Sequence, residues 1–249
     1  MRKDVAAIIL ILIGGAVLRI TIGGTYLNYV KEVMEPFLLA SGGLLVLFGV
    51  LALLDVFRAS RTSAAVAAAD QQLEDELDGH VHGHDHSQGP RVAWLMLLPV
   101  LAIFLIAPPA LGAFTAAREV TNTIAPPAEA KAPPLPAGDP VEVTLADYVG
   151  RAVWDDGLTL DGRTVEMTGF VTPDPAGGWW LTRMSMACCA ADAIGTRVKV
   201  VDTPDLPANT WVVVTGTWVP GGGTQQADAI PLVRVESLQQ IDQPRNPYE

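Results

Sequence analysis

The sequence has 249 residues, 50% hydrophobic and 17% charged, with a mean hydropathy of +0.32; this is more apolar than an ordinary soluble domain, and the excess lies before about residue 114. A net charge of −11, with no cluster of Lys and Arg, excludes nucleic acid as a partner because phosphate binding needs such a cluster. The only two cysteines are adjacent, Cys188 and Cys189, which excludes the multi-bridge framework of a small secreted domain, so folding must rest on burial.

Three apolar runs, at about 5–22, 37–57 and 92–114, each approach the ~20 residues that cross a ~30 Å hydrocarbon core as a helix. Residues 1–115 therefore read as a transmembrane region. The first run is expected to stay attached: Arg2 and Lys3 are a weak n-region, the run is longer than a signal-peptide core, and no Ala-x-Ala site follows Gly23-Gly24-Thr25-Tyr26. Pro108 and Pro109 should kink or end the third helix. Gly14, Gly15, Gly42 and Gly43 either allow close helix approach or are ordinary membrane-helix glycines.

Arg2 and Lys3 before the first helix, with Arg58, Arg61 and Arg91 in the loop 58–91, place the N-terminus and that loop in the cytoplasm. The loop Thr25–Pro36 and everything after Phe114 then lie outside. Arg19, within the first run, is read as snorkelling to the outer interface. The expected location is the cell membrane, multi-pass, with an extracytoplasmic C-terminal domain.

Residues 116–140, rich in Ala and Pro, form an expected polyproline-like linker that lifts the next domain off the bilayer. From residue 141 to 249, short β segments follow: Val141–Leu145, Arg163–Val171, Trp179–Met184, Arg197–Val201, Trp211–Val219 and Leu232–Leu238. Leu145–Ala152 can form a short helical turn. The fold class is thus membrane α, with three transmembrane helices, plus an extracytoplasmic all-β, OB-like small barrel. An immunoglobulin-like sandwich is the alternative, but it lacks the Cys-Trp-Cys spacing and a seventh strand.

All four histidines, His80, His82, His84 and His86, alternate along one Gly-containing loop. Imidazoles spaced this way on a pliable segment suit weak or transient capture of zinc or copper; the alternative is a solvated acidic loop that binds nothing. The second constellation is Cys188-Cys189-Ala190-Ala191-Asp192-Ala193. Adjacent cysteines bond only through a strained ring, so two free thiols or a labile redox pair are expected. With Asp192 beside them, and Met184 and Met186 nearby, they make a candidate soft-metal site, set against the ordinary role of Cys as a small core residue.

That motif follows one strand and precedes Arg197-Val198-Lys199-Val200. It resembles the signature of the YcgQ-like family, bacterial membrane proteins assigned as permease subunits. The likeness extends to the N-terminal helices, the His-rich loop, the Gly169 and Gly216 strands and the closing Asn246-Pro247-Tyr248-Glu249. It implies a small subunit that pairs with a larger multi-span permease, and it names no solute.

Three functions compete. The leading one is a non-catalytic accessory subunit of a permease, handling a transition metal or another soft solute. The His loop and the Cys pair are expected on opposite faces of the membrane, so one ion cannot bind both, and three helices with few polar residues make no path by themselves. The second is an extracytoplasmic thiol redox enzyme or sensor; it lacks a histidine in the outer domain to activate a thiol, although Arg183 can stabilise a thiolate. The third is a carbohydrate- or peptide-binding module that uses Trp179, Trp180, Trp211 and Trp218, residues equally suited to core packing.

Overall fold

The computed structural model describes residues 3–70, 95, 98, 101, 109–118, 132–223, 226 and 228–249. The chain divides into two compact units, one of Met1–Tyr26 with Glu32–Pro108, the other of Leu27–Lys31 with Pro109–Glu249.

In the first unit, helix α1 (Lys3–Ile22) and helix α2 (Glu35–Asp70) pack against each other. Each contains a stretch long and apolar enough to cross a membrane, and Ile8, Leu12, Phe37, Leu47, Phe48 and Leu51 are exposed along them. Small residues set the approach of the two helices. A Cβ on Gly14 would stand 2.7 Å from the Gly42 carbonyl oxygen, and one on Gly49 would stand 2.6 Å from Ile11 Cγ1 and 2.9 Å from the Ala7 oxygen. Of the four glycines singled out by sequence, Gly14 and Gly42 lie in this contact, whereas Gly15 and Gly43 face open space. Helix α2 also runs on past the expected end at Phe57 to Asp70, because the Ala-rich stretch after Phe57 is strongly helix-forming without being apolar enough to count as span. The expected third helix at 92–114 lies largely outside the described residues. Among the described residues near its expected end, Pro109–Gly112 is irregular, and one helical turn, α3 (Ala113–Ala116), follows.

The second unit is a six-stranded sheet domain. Its strands are β1 (Val141–Glu142), β2 (Thr164–Pro173), β3 (Trp179–Ser185), β4 (Ile194–Val201), β5 (Trp211–Val219) and β6 (Leu232–Ile241). Their order is β1-β2-β3-β4-β6-β5, and β2 also pairs with β5 from Thr164↔Thr217 to Phe170↔Trp211. The β4–β6 pair is parallel, as is β1–β2, and the others are antiparallel. Strand and neighbour come too close for a side chain at Gly169 and Gly216, where a Cβ would stand 2.7 Å from the Thr182 oxygen and 2.1 Å from the Arg234 oxygen.

Helix α4 (Leu145–Trp154) replaces the single turn expected there. Thr144 caps it, its Oγ1 accepting from the Asp147 amide at 3.1 Å, and Leu145, Tyr148, Val149, Ala152 and Val153 recur at helical spacing on its buried face. They join Val165, Met167, Leu181, Val198, Val212, Val214 and Val233 in the main core. The Tyr148 hydroxyl, inside this core, donates to the Leu232 carbonyl at 2.7 Å. The last part of the expected linker belongs to the domain: Leu135 is buried in the same core, and Arg151 Nη1 donates to the Pro133 carbonyl at 2.6 Å.

Candidate functional site

The chain leaves β3 at Ser185 and turns through Met186–Cys189 into a 3₁₀ turn, Ala190–Asp192, before β4 begins. Asp192 makes this turn. Its Oδ1 accepts from the Ala187 amide at 3.0 Å, and its Oδ2 accepts from the amides of Cys188 at 2.9 Å and Cys189 at 3.4 Å. The Asp192 amide donates back to the Cys189 carbonyl at 3.0 Å. One carboxylate thereby satisfies three successive donors and fixes where both cysteine side chains leave the backbone.

Both thiols are free, Cys188 exposed and Cys189 half-buried, with their sulfurs 3.6 Å apart. The two Sγ atoms and a carboxylate oxygen of Asp192 all lie within 4.8 Å of one another. The Asp192 carboxylate, through a hydrogen bond from the Cys188 thiol and assisted by Cys189, pushes the Cys188 thiol up to about 12. The same hydrogen bond, with those from the backbone amides, holds Asp192 below the usual carboxylate range. At neutral pH the resting site is therefore a protonated thiol beside a carboxylate, a poor nucleophile. A soft cation that displaces the proton turns the same three groups into ligands.

Two segments remote in sequence brace the loop within this unit. Tyr29–Lys31 runs alongside it: the Ala190 amide donates to the Tyr29 carbonyl at 2.7 Å, the Lys31 amide to the Cys188 carbonyl at 3.1 Å, and Lys31 Nζ to the Met186 carbonyl at 3.3 Å. At the other side, the Glu249 amide donates to the Met184 carbonyl at 3.0 Å, and the Tyr248 hydroxyl donates to the Asn28 carbonyl at 2.9 Å while accepting from the Leu111 amide at 3.1 Å. Sequence reasoning missed Tyr29, Val30 and Lys31. The closing Tyr248-Glu249 was noticed only as part of a resemblance.

The structure gathers Cys188, Cys189 and Asp192, as the spacing suggested. Met184 and Met186 are instead buried with Phe170, Trp211 and Tyr248 in a second core cluster, and so serve packing. Arg183 does not reach the thiols: its Nη2 donates to the Asn246 carbonyl at 3.0 Å and its guanidinium lies 4.9 Å over the Trp211 ring. Of the four tryptophans, Trp179 and Trp211 are buried, and Trp218 packs partly buried against the main core. His80, His82, His84 and His86 lie outside the described residues.

Comparison with known protein families matches residues 5–122 to the DUF1980 N-terminal domain and residues 152–249 to the DUF1980 C-terminal domain. No curated protein matches the chain.

Proposed function

From the membership of this chain in the DUF1980 family, the YcgQ-like family of uncharacterised proteins, we propose that it is a membrane-anchored accessory subunit of a permease whose outer domain holds a soft transition-metal ion at Cys188, Cys189 and Asp192. The observation that carries this reading is the convergence of two thiol sulfurs and a carboxylate oxygen within 4.8 Å on a loop braced by two segments remote in sequence. Two thiolates and one oxygen suit zinc or copper, leaving an open position for a further donor from solvent or a partner. Binding releases the thiol protons, so affinity rises with pH.

The rest of the architecture fits this role. Helices α1 and α2 expose apolar side chains as membrane helices do, and the apolar run at 92–114 is, on sequence alone, the third span of the proposed anchor. The outer domain is an OB-like barrel: β2-β3-β4-β6-β5 returns to β2 through the β2–β5 pairing, which removes the free edges. The charge distribution sets the domain outside and His80, His82, His84 and His86 inside, where the loop captures zinc or copper transiently. A larger multi-span permease supplies the path across the membrane. The thiol-enzyme reading loses ground because the thiol of Cys188 is held protonated and every histidine precedes the outer domain.

The test is metal analysis of the full chain purified in mild detergent after loading with zinc or Cu(I) and desalting. About one equivalent should be retained by the protein lacking its four histidines, and none after the further change of Cys188 and Cys189 to Ser. Retention that does not depend on the two cysteines would sink the assignment.

A further inference from the structure

A second site lies in the outer unit, in a cavity of about 540 Å³ whose walls include Glu142, Thr144, Thr168, Arg183, Ile241 and Glu249. Arg183 is its cation. The side chain is 8% exposed, and its Nε and Nη1 are buried with no hydrogen-bond partner; only Nη2 is engaged, by the Asn246 carbonyl. The Glu249 carboxylate is within electrostatic reach of it, but no hydrogen bond answers these two nitrogens. A guanidinium out of water with two of its nitrogens unanswered is costly unless an acceptor arrives. Its fork geometry suits a carboxylate, and binding one requires the guanidinium to turn from the Asn246 carbonyl and the Trp211 ring toward the opening.

The surroundings narrow the ligand. Glu142 is exposed at the wall, and the Glu249 carboxylate, which accepts from the Leu145 amide at 3.1 Å, faces the same space. Two acidic groups beside one arginine repel a sulfate or phosphate dianion, and they attract a ligand that carries a positive group close to its carboxylate. Ile241 and Val143 add apolar wall, as small-molecule sites require. We infer that this cavity binds a zwitterionic α-amino carboxylate, its carboxylate on Arg183 and its ammonium toward Glu142 and Glu249. The inference is independent of the cysteine site.

The experiment is calorimetry on the full chain in detergent with three probes: L-alanine, propionate, which keeps only the carboxylate, and ethylamine, which keeps only the cation. L-Alanine should bind saturably, with propionate and ethylamine each at least tenfold weaker. Arg183→Gln should weaken L-alanine at least tenfold. Glu142→Gln, at an exposed position that does not threaten folding, should weaken L-alanine severalfold and strengthen propionate, which then meets one negative charge fewer. Binding should persist when Cys188 and Cys189 are both changed to Ser, which separates this site from the metal reading. No saturation by L-alanine in the millimolar range overturns the inference. So does propionate binding as tightly as L-alanine, or L-alanine binding that is indifferent to Glu142→Gln.

Discussion

The Ala190 amide reaches across to the Tyr29 carbonyl at 2.7 Å, so the turn that carries the cysteines is hydrogen-bonded to a segment that lies between α1 and α2 in the sequence. This segment, with Leu27 and Asn28, belongs to the same compact unit as the cysteine turn. Lys31→Pro removes both the amide donor to Cys188 and the Nζ donor to Met186 and should release one side of this brace, at a cost of about 1 kcal/mol for each lost hydrogen bond. The expected signature is faster alkylation of Cys189 by a maleimide with little change in the melting temperature of the sheet domain. Unchanged labelling would mean that Tyr29–Lys31 only lies beside the loop.

Asp192 sets the acidity of Cys188, and its removal should show as chemistry before it shows as stability. In a Cys189→Ser background, Cys188 should still alkylate slowly at neutral pH, because Asp192, the largest cause of its raised pKa, remains. With Asp192→Ala the profile should move down toward the ordinary thiol value of about 8.5. A pH–rate profile for iodoacetamide decides the matter.

The same carboxylate makes the loop acid-sensitive. Because its folded-state pKa lies below the unfolded value near 3.9, its stabilising contribution is present above that value and fades as the pH drops through the lower, folded one. Asp192→Asn, which keeps an acceptor and cannot protonate, should fall less steeply in melting temperature between about pH 5 and pH 2. Parallel slopes for the two proteins would show that other carboxylates govern the acid limb.

The helix contact gives a contrast between neighbouring glycines. Gly49→Val forces atoms into Ile11 and the Ala7 backbone, an overpacking expected to cost about 1–3 kcal/mol, whereas Gly43→Ala meets nothing within 4 Å and should be neutral. Thermal unfolding in detergent distinguishes them.

In the sheet domain, Tyr148→Phe removes the hydroxyl that donates to Leu232 and leaves a buried carbonyl without that donor. Tyr148 is fully buried, so a loss of about 1–2 kcal/mol is expected, seen as a lower urea midpoint at unchanged slope.

The strands were legible because Val- and Trp-rich segments such as Trp211–Val219 stand between Gly, Pro and Asp turns, and a local alternation needs no partner to be recognised. Helix α4 was underestimated although Leu145, Tyr148, Val149, Ala152 and Val153 already carry its period; Gly150 inside it and Asp155-Asp156-Gly157 just after it weaken the local helical signal. Of the site, Cys188, Cys189 and Asp192 could be read because four consecutive spacings confine them to one turn. The Tyr29–Lys31 brace could not, since three residues between helical segments carry no period and their partners lie some 160 positions on. The orphaned nitrogens of Arg183 were equally hidden: only the folded sheet removes water from them.

Tyr248 ties Asn28 and Leu111 through one hydroxyl, across 220 and 137 intervening positions in sequence. Ribosomes deliver these three points in order, so the earliest waits for the latest. During biosynthesis the Asn28–Lys31 ledge is laid down long before the tyrosine that clasps it has been made, and the cysteine turn, emerging between them, spends that interval without its clasp. A chain that stopped before Tyr248 would carry both thiols and lack the hydroxyl that links Asn28 to Leu111.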